Sequence, residues 1–124
     1  AKLEGEESAR TLQAANNYAT SLCNLRHFDE AKALWRKMMP VARRILGEDH
    51  ELMLQMRWHY AETLFRDPSA MLDDLHEAVS MLEETTLTAR RVFGGAHPRA
   101  VGIERSLQNA RGRLHFRESR AADA

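Results

Sequence analysis

Residues 42–50 read ARRILGEDH and residues 89–97 read ARRVFGGAH, at a constant offset of 47. Each run places two arginines and two apolar residues before a glycine, with a histidine three residues beyond it. This is the wording of a helix end. Basic side chains suit the negative pole of the helix dipole, and glycine is the natural residue just past the last turn. The histidine then stands where it can cap the next helix. The match extends backward to Ala31 and Ala78. A second alignment sets Tyr18-Ala19 on Tyr60-Ala61 and Leu22 on Leu64, at an offset of 42. The difference of five residues locates an insertion between Leu64 and Leu75. The unit is therefore a helix pair of about 42 residues, and the third copy is a single helix.

Apolar spacing predicts five helices around this frame. The first carries Leu12, Ala15, Ala19, Leu22 and Leu25, with Ser8 as its N-cap and Arg26-His27 as the turn. The second carries Phe28, Ala31, Leu34, Trp35, Met38, Ala42 and Ile45, and stops at Gly47. Pro40 removes one hydrogen bond inside it and predicts a kink near Ala31–Arg36 rather than a break. The third carries Met53, Met56, Tyr60 and Leu64 and ends at Asp67-Pro68. The fourth is capped by Asp67, lengthened by the Pro68–Asp73 insertion and closed by Gly94-Gly95. The fifth starts at Pro98 and carries Ile103, Leu107, Ala110 and Leu114. The domain plan is a polar lead over 1–7, a repeat domain over 8–117 and a flexible tail over 118–124. Within the domain the units fall at about 8–49 and 50–96, with a capping helix over 97–117.

Composition narrows the function. The 124 residues carry 18 basic and 18 acidic side chains. Residues 1–86 hold 10 Lys/Arg against 15 Asp/Glu, whereas residues 87–120 hold eight Arg against two Glu. A neutral total hides a dipolar chain. Cys23 is the only cysteine, which excludes an intrachain disulfide framework and a Cys-based zinc site. No apolar run reaches the length of a membrane span. The polar start at Ala1, without Met, reads as a piece of a longer protein. A lone cysteine favours the cytoplasm as its compartment.

The stretches AANNYATSLCNLRHFDEAKALW, ARRILGEDHELMLQMRWHYAETLF and ARRVFGGAHPRAVGIERSL together resemble tetratricopeptide repeats of the kinesin-light-chain sub-type. The resemblance covers roughly residues 8–116. It implies an all-α helix-turn-helix solenoid of two repeats plus a C-terminal capping helix, five helices in all. Its departures are Trp58-His59 and Arg105-Ser106 in place of Asn16-Asn17, and the Pro68–Asp73 insertion. Small residues at Ala19, Ala31, Ala61 and Ala78 let helices approach closely. Tyr18, Tyr60, Leu22, Leu64, Leu34, Trp35, Met81 and Leu82 are expected to fill the space between them.

Catalysis finds no support. His27, His50, His59, His76, His97 and His115 include no H-E-x-x-H pair, and no phosphate-binding glycine loop occurs. His50 and His97 are expected to cap helices, and Cys23 to be a half-buried structural thiol. No enzyme activity, cofactor or metal is expected.

The resemblance implies instead that the first helix of each pair lines a concave groove for an extended peptide. The positions carried over are Gln13, Asn16, Asn17, Thr20 and Asn24 from the first copy. The second contributes Gln55, Trp58, His59, Glu62 and Arg66, and the third Arg105, Ser106, Asn109 and Arg113. Asn17 and Asn109 can both donate to and accept from a peptide backbone, and Arg66, Arg105 and Arg113 can pair with carboxylates. Trp58 is either a groove anchor or part of the stack. The expectation is a protein–protein interaction module that holds a partly acidic protein or peptide segment. The alternative is a structural or self-associating homo-oligomeric segment of a longer scaffold. Zero net charge and the scarcity of lysine in the basic part weigh against nucleic acid.

Overall fold

A computed structural model describes residues 2–123. They form five helices: α1 (Lys2–Asn24), α2 (Phe28–Leu46), α3 (Glu51–Arg66), α4 (Leu72–Phe93) and α5 (Pro98–Asp123). Each helix packs on the next in sequence. In addition α1 touches α3 and α3 touches α5, whereas α2 and α4 do not meet among the described residues. The odd-numbered helices thus form one layer and the even-numbered helices the other. This is the stacked helix-pair solenoid expected from the repeat.

The repeat frame rests on local backbone chemistry. Gly47 and Gly94 both have positive φ, +87° and +91°, and each donates its N–H to the carbonyl four residues back, of Arg43 and Arg90. A side chain at either position would be strained. His50 Nδ1 accepts the Leu52 N–H at 3.0 Å, and His97 Nδ1 accepts the Arg99 N–H at 3.1 Å. Both histidines are therefore N-caps. Arg26 closes α1 with φ +65°, while His27 N–H bonds to Leu22 O and Arg26 N–H to Cys23 O. That pair of bonds is a Schellman ending built on a non-glycine residue.

The loop chemistry also changes in step between copies. Arg57, buried on α3, shares Glu48 with Arg43. Its counterpart is Glu104, which pairs directly with Arg90, the counterpart of Arg43. Gly95 stands where Glu48 did. Reversing one charge across the contact removes the need for the bridging carboxylate.

Several expectations need correction. Ser8 caps nothing, because α1 already runs from Lys2. The lead is rich in strong helix formers. Likewise α5 continues through the expected tail to Asp123, with Glu118 facing His76 at 3.7 Å. Asp67 ends α3 instead of starting α4. Its carboxylate accepts the Ser69 N–H at 2.9 Å and the Lys32 ammonium of α2 at 3.1 Å, so it faces backward into the stack. Helix α4 begins at Leu72, where Asp74 accepts the Met71 N–H. It has 22 residues against 19 in α2, so the insertion does lengthen it by most of a turn. Pro40 sits within α2 without interrupting it.

Ala19, Ala31, Ala61 and Ala78 are fully buried, and Trp35, Met53, Met56, Leu64, Leu75 and Leu82 fill the core around them. Cys23 is buried rather than half-buried. Tyr18 is the exception: it is 60% exposed, whereas its counterpart Tyr60 is 2% exposed. Tyr60 is covered by α2, with Arg36 Nε donating to its hydroxyl at 2.9 Å, and it donates in turn to Glu77 at 2.8 Å. Burial, with Arg36 opposing and Glu77 assisting, pushes its pKa up to about 12. Among the described residues, nothing occupies the corresponding place beside Tyr18.

Candidate functional site

The repeat register arranges the candidate residues in rows across α1, α3 and α5. Asn24, Arg66 and Arg113 form one row, and Thr20, Glu62 and Asn109 the next. Asn17, His59 and Ser106 form a third. Residues three and four apart share a helix face, so each helix offers the three rows on one side.

The middle of this surface is tightly organised. Thr20, Asn24, His59, Glu62 and Arg66 surround a cavity of about 30 Å³ floored by Cys23 and Trp35. That space holds roughly one water and no peptide side chain. Arg66 reaches back from α3 to lie 3.5 Å from both Cys23 Sγ and Asn24 Oδ1. Thr20 donates its hydroxyl proton to Asn16 O at 2.9 Å, and its oxygen lies 3.4 Å from His59 Nδ1. Since the hydroxyl has a single proton, His59 must carry hydrogen on Nδ1 to bond there. The imidazole stacks on Trp58 (centroids 5.7 Å apart) and tilts against Trp35 (6.5 Å). Burial, opposed by Glu62, draws its pKa below the ordinary 6.5.

Two residues leave the groove. Asn16 is 1% exposed, and its Oδ1 accepts the Trp35 indole N–H at 3.0 Å. Its side chain is turned toward α2 and satisfies the only polar atom of a fully buried tryptophan, so it is unavailable to a peptide. Trp58 belongs to the stack. It donates to Ser106 Oγ at 2.8 Å, and the Ser106 hydroxyl donates in turn to Glu62 Oε1 at 3.1 Å. Its ring lies against α5 at Gly102, where an added Cβ would stand 2.8 Å from the indole edge. Ser106 is itself buried. Together these three side chains tie α3 to α5.

Gln55 lies against Arg99 at the rim, where its amide oxygen, turned toward the guanidinium, accepts at 2.9 Å; Arg99 also pairs with Glu51. Gln13 donates to Asn17 Oδ1 at 3.0 Å, and both are exposed. Arg105, Asn109 and Arg113 lie exposed along α5. Sequence reasoning missed Gly102, although a glycine inside a helix signals close approach. It also missed Trp35 as the partner of Asn16, which no local pattern announces.

Among the described residues no group of His, Cys, Asp and Glu is placed to hold a metal, and no helix is long and apolar enough to cross a membrane. The fold and this surface define a helical-repeat interaction module. The tetratricopeptide repeat model matches residues 11–51 and 70–99, more than half of the chain. The chain belongs to the tetratricopeptide repeat family, in its kinesin-light-chain-like type. No curated protein and no solved structure gave a significant match. Repeats of this family are non-catalytic modules that mediate protein–protein interaction.

Proposed function

We propose that the face formed by α1, α3 and α5 holds an extended, partly acidic segment of a protein partner. One contrast carries this reading. Arg43, Arg57, Arg90, Arg91, Arg99 and Arg111 each pair with a carboxylate of this chain. Among the described residues, no carboxylate pairs with Arg66, Arg105 or Arg113; Arg26 and Arg44, also without one, lie outside α1, α3 and α5, and Arg120 lies over the Phe116 ring. Arg66 and Arg113, which share a row, and Arg105, next to Ser106 on α5, thus stay available for a ligand's carboxylates, Arg66 making only two long contacts of 3.5 Å to Cys23 and Asn24. Asn17 and Asn109, exposed on either side, can take a peptide backbone in both hydrogen-bond senses. Trp58, His59, Glu62 and Ser106 support the floor, and Asn16 holds it from beneath.

The test is a titration of an acidic peptide and its charge-scrambled version against the parent, Arg105→Glu and Arg113→Glu. Reversing one partly exposed arginine should cost about 1–2 kcal/mol, or roughly 5- to 30-fold in affinity. Equal binding by parent and variants would sink the proposal. Far-UV dichroism should be unchanged, because both side chains are exposed.

A further inference from the structure

Two departures from the repeat meet at one place. In the first two copies the lining helix stops at the same row, α1 at Asn24 and α3 at Arg66. Their counterpart on α5 is Arg113, yet α5 runs on to Asp123. The repeat register puts this overhang past the end of α3, beside the inserted loop that leads into α4. Arg117 donates to the Ala70 carbonyl at 2.7 Å, and Glu118 faces His76 of α4 at 3.7 Å. One contact to the loop and one to α4 fasten the overhang to the fold.

A cleft of about 380 Å³ lies between the overhang and the start of α4. It is lined by Leu72, Phe116, Ala121 and the side chains of Arg117 and Arg120. It has room for a large side chain, which the cavity of about 30 Å³ beside His59 lacks. Phe116 is 58% exposed, and Arg120 lies 5.7 Å from its ring centroid. Among the described residues lining the cleft, none is acidic. Its base is therefore apolar and its rim cationic.

The cleft continues the face already described. Residues 105, 109, 113, 116 and 120 are spaced 4-4-3-4 and share one side of α5. Arg117 follows Ser106, which Trp58 touches, by about three helical turns, so it stands on the side that looks toward α3. The outer side of α5, with Glu104, Gln108 and Arg111, takes no part.

We infer that a segment held on the α1–α3–α5 face sets a large apolar side chain in this cleft, one or two residues from the carboxylate that pairs with Arg113. The inference rests on the acidic-segment reading above and adds a specificity rule to it. The rule concerns what the segment carries, whichever chain supplies it. A purely acidic segment would leave Phe116 and Leu72 wet, and a purely apolar one would leave Arg113 and Arg120 without anions. A carboxylate followed closely by an apolar side chain satisfies both. Phe116 stands three residues beyond Arg113, about 4.5 Å along the helix axis. An extended chain advances about 3.3 Å per residue, so it covers that distance in one or two residues.

The probes are acidic peptides with a leucine placed one, two or three residues after the last glutamate or before the first. Each is paired with the same peptide carrying alanine there. Binding to the intact protein is read by fluorescence anisotropy. Burying about half of a leucine side chain should tighten binding about 3- to 10-fold at the favoured position. Phe116→Ala, which removes the ring, and Ala121→Gln, which fills the cleft with an uncharged polar chain, should each bring the leucine and alanine peptides level. Arg113→Glu should weaken both sets. If leucine adds nothing at any position, or adds as much in Phe116→Ala and Ala121→Gln as in the parent, the inference is overturned while the alanine peptides still uphold the groove. If neither set binds, or both bind regardless of Arg105→Glu and Arg113→Glu, the groove reading falls and the inference with it.

Discussion

Gly102→Ala and Gly112→Ala, two identical changes on one helix, should act in opposite directions. Both glycines lie inside α5. Replacing a helix-interior glycine by alanine normally stabilises by roughly 0.5–1 kcal/mol, because the unfolded chain loses freedom and the helix gains propensity. At Gly112 an added Cβ meets nothing within 4 Å, so the full gain is expected. At Gly102 the same Cβ would lie 2.8 Å from Trp58 Cη2 and 3.0 Å from Cζ2. The indole is rigid, stacked on His59 and bonded to Ser106, so it cannot swing aside freely. Overpacking typically costs about 1–3 kcal/mol, and the bond to Ser106 is worth about 1 kcal/mol if lost. After the propensity gain, a net loss of about 1–2 kcal/mol remains. The two variants should therefore differ by roughly 2–3 kcal/mol in urea unfolding at equal m-value. Adding Trp58→Leu to Gly102→Ala should restore the helix-propensity gain relative to Trp58→Leu alone. If both alanine variants are stabilised equally, Trp58 does not lie against α5, and its assignment to the stack is wrong.

Three further outcomes follow from single side chains. Asn16→Ala leaves the Trp35 indole N–H without an acceptor in a dry core and should destabilise by about 2–3 kcal/mol, readable as a lower denaturation midpoint. Arg26→Gly relieves a left-handed residue at the end of α1 and should raise stability by up to ~1 kcal/mol, or a few degrees in Tm; an unchanged or lower Tm contradicts the strain. His59 is held below its ordinary pKa of 6.5 by burial, so the unfolded chain takes up the proton first. Its contribution is complete above pH 6.5 and is lost as the pH falls below it, and the stability profile of His59→Gln should be flatter over that interval than the parent's.

How much of this could be read in the sequence depends on how far each determinant reaches along the chain. The helix ends were readable because their chemistry is local. A positive φ at Gly47 or Gly94 and a ring nitrogen two residues before its N–H partner need nothing beyond a single loop. Asp67-Pro68 has an equally good local reading as the start of α4, and it fails for a nonlocal reason. Lys32, 35 residues earlier, engages the carboxylate, so Asp67 faces the preceding pair. Asn16 and Asn17 show the same limit at the scale of one residue. They are neighbours in sequence but point about 100° apart around the helix, so one meets Trp35 while the other meets solvent. Tyr18 is subtler still. Repetition specifies what its position packs against in the next copy, and only the structure reveals that Tyr18, unlike Tyr60, is exposed among the described residues.

The charge distribution follows the same division between local and distant partners. The arginine excess after residue 86 looks in sequence like one basic patch. In the fold half of these arginines are paired with carboxylates. Arg90 meets Glu104, Arg91 makes a two-point contact with Asp49 at 3.0 and 2.7 Å, Arg99 meets Glu51, and Arg111 meets Glu83. Arg117 is taken up differently, by the Ala70 carbonyl at 2.7 Å. Three of these carboxylates, Asp49, Glu51 and Glu83, come from the acidic part of the chain, so the dipole in the sequence is partly closed by folding. A surface meant for a polyanion would keep its cations unpaired and aligned. Here Arg105 and Arg113 stay exposed on α5 and Arg66 on α3, which under the proposed reading would suit a few carboxylates rather than a continuous phosphate backbone.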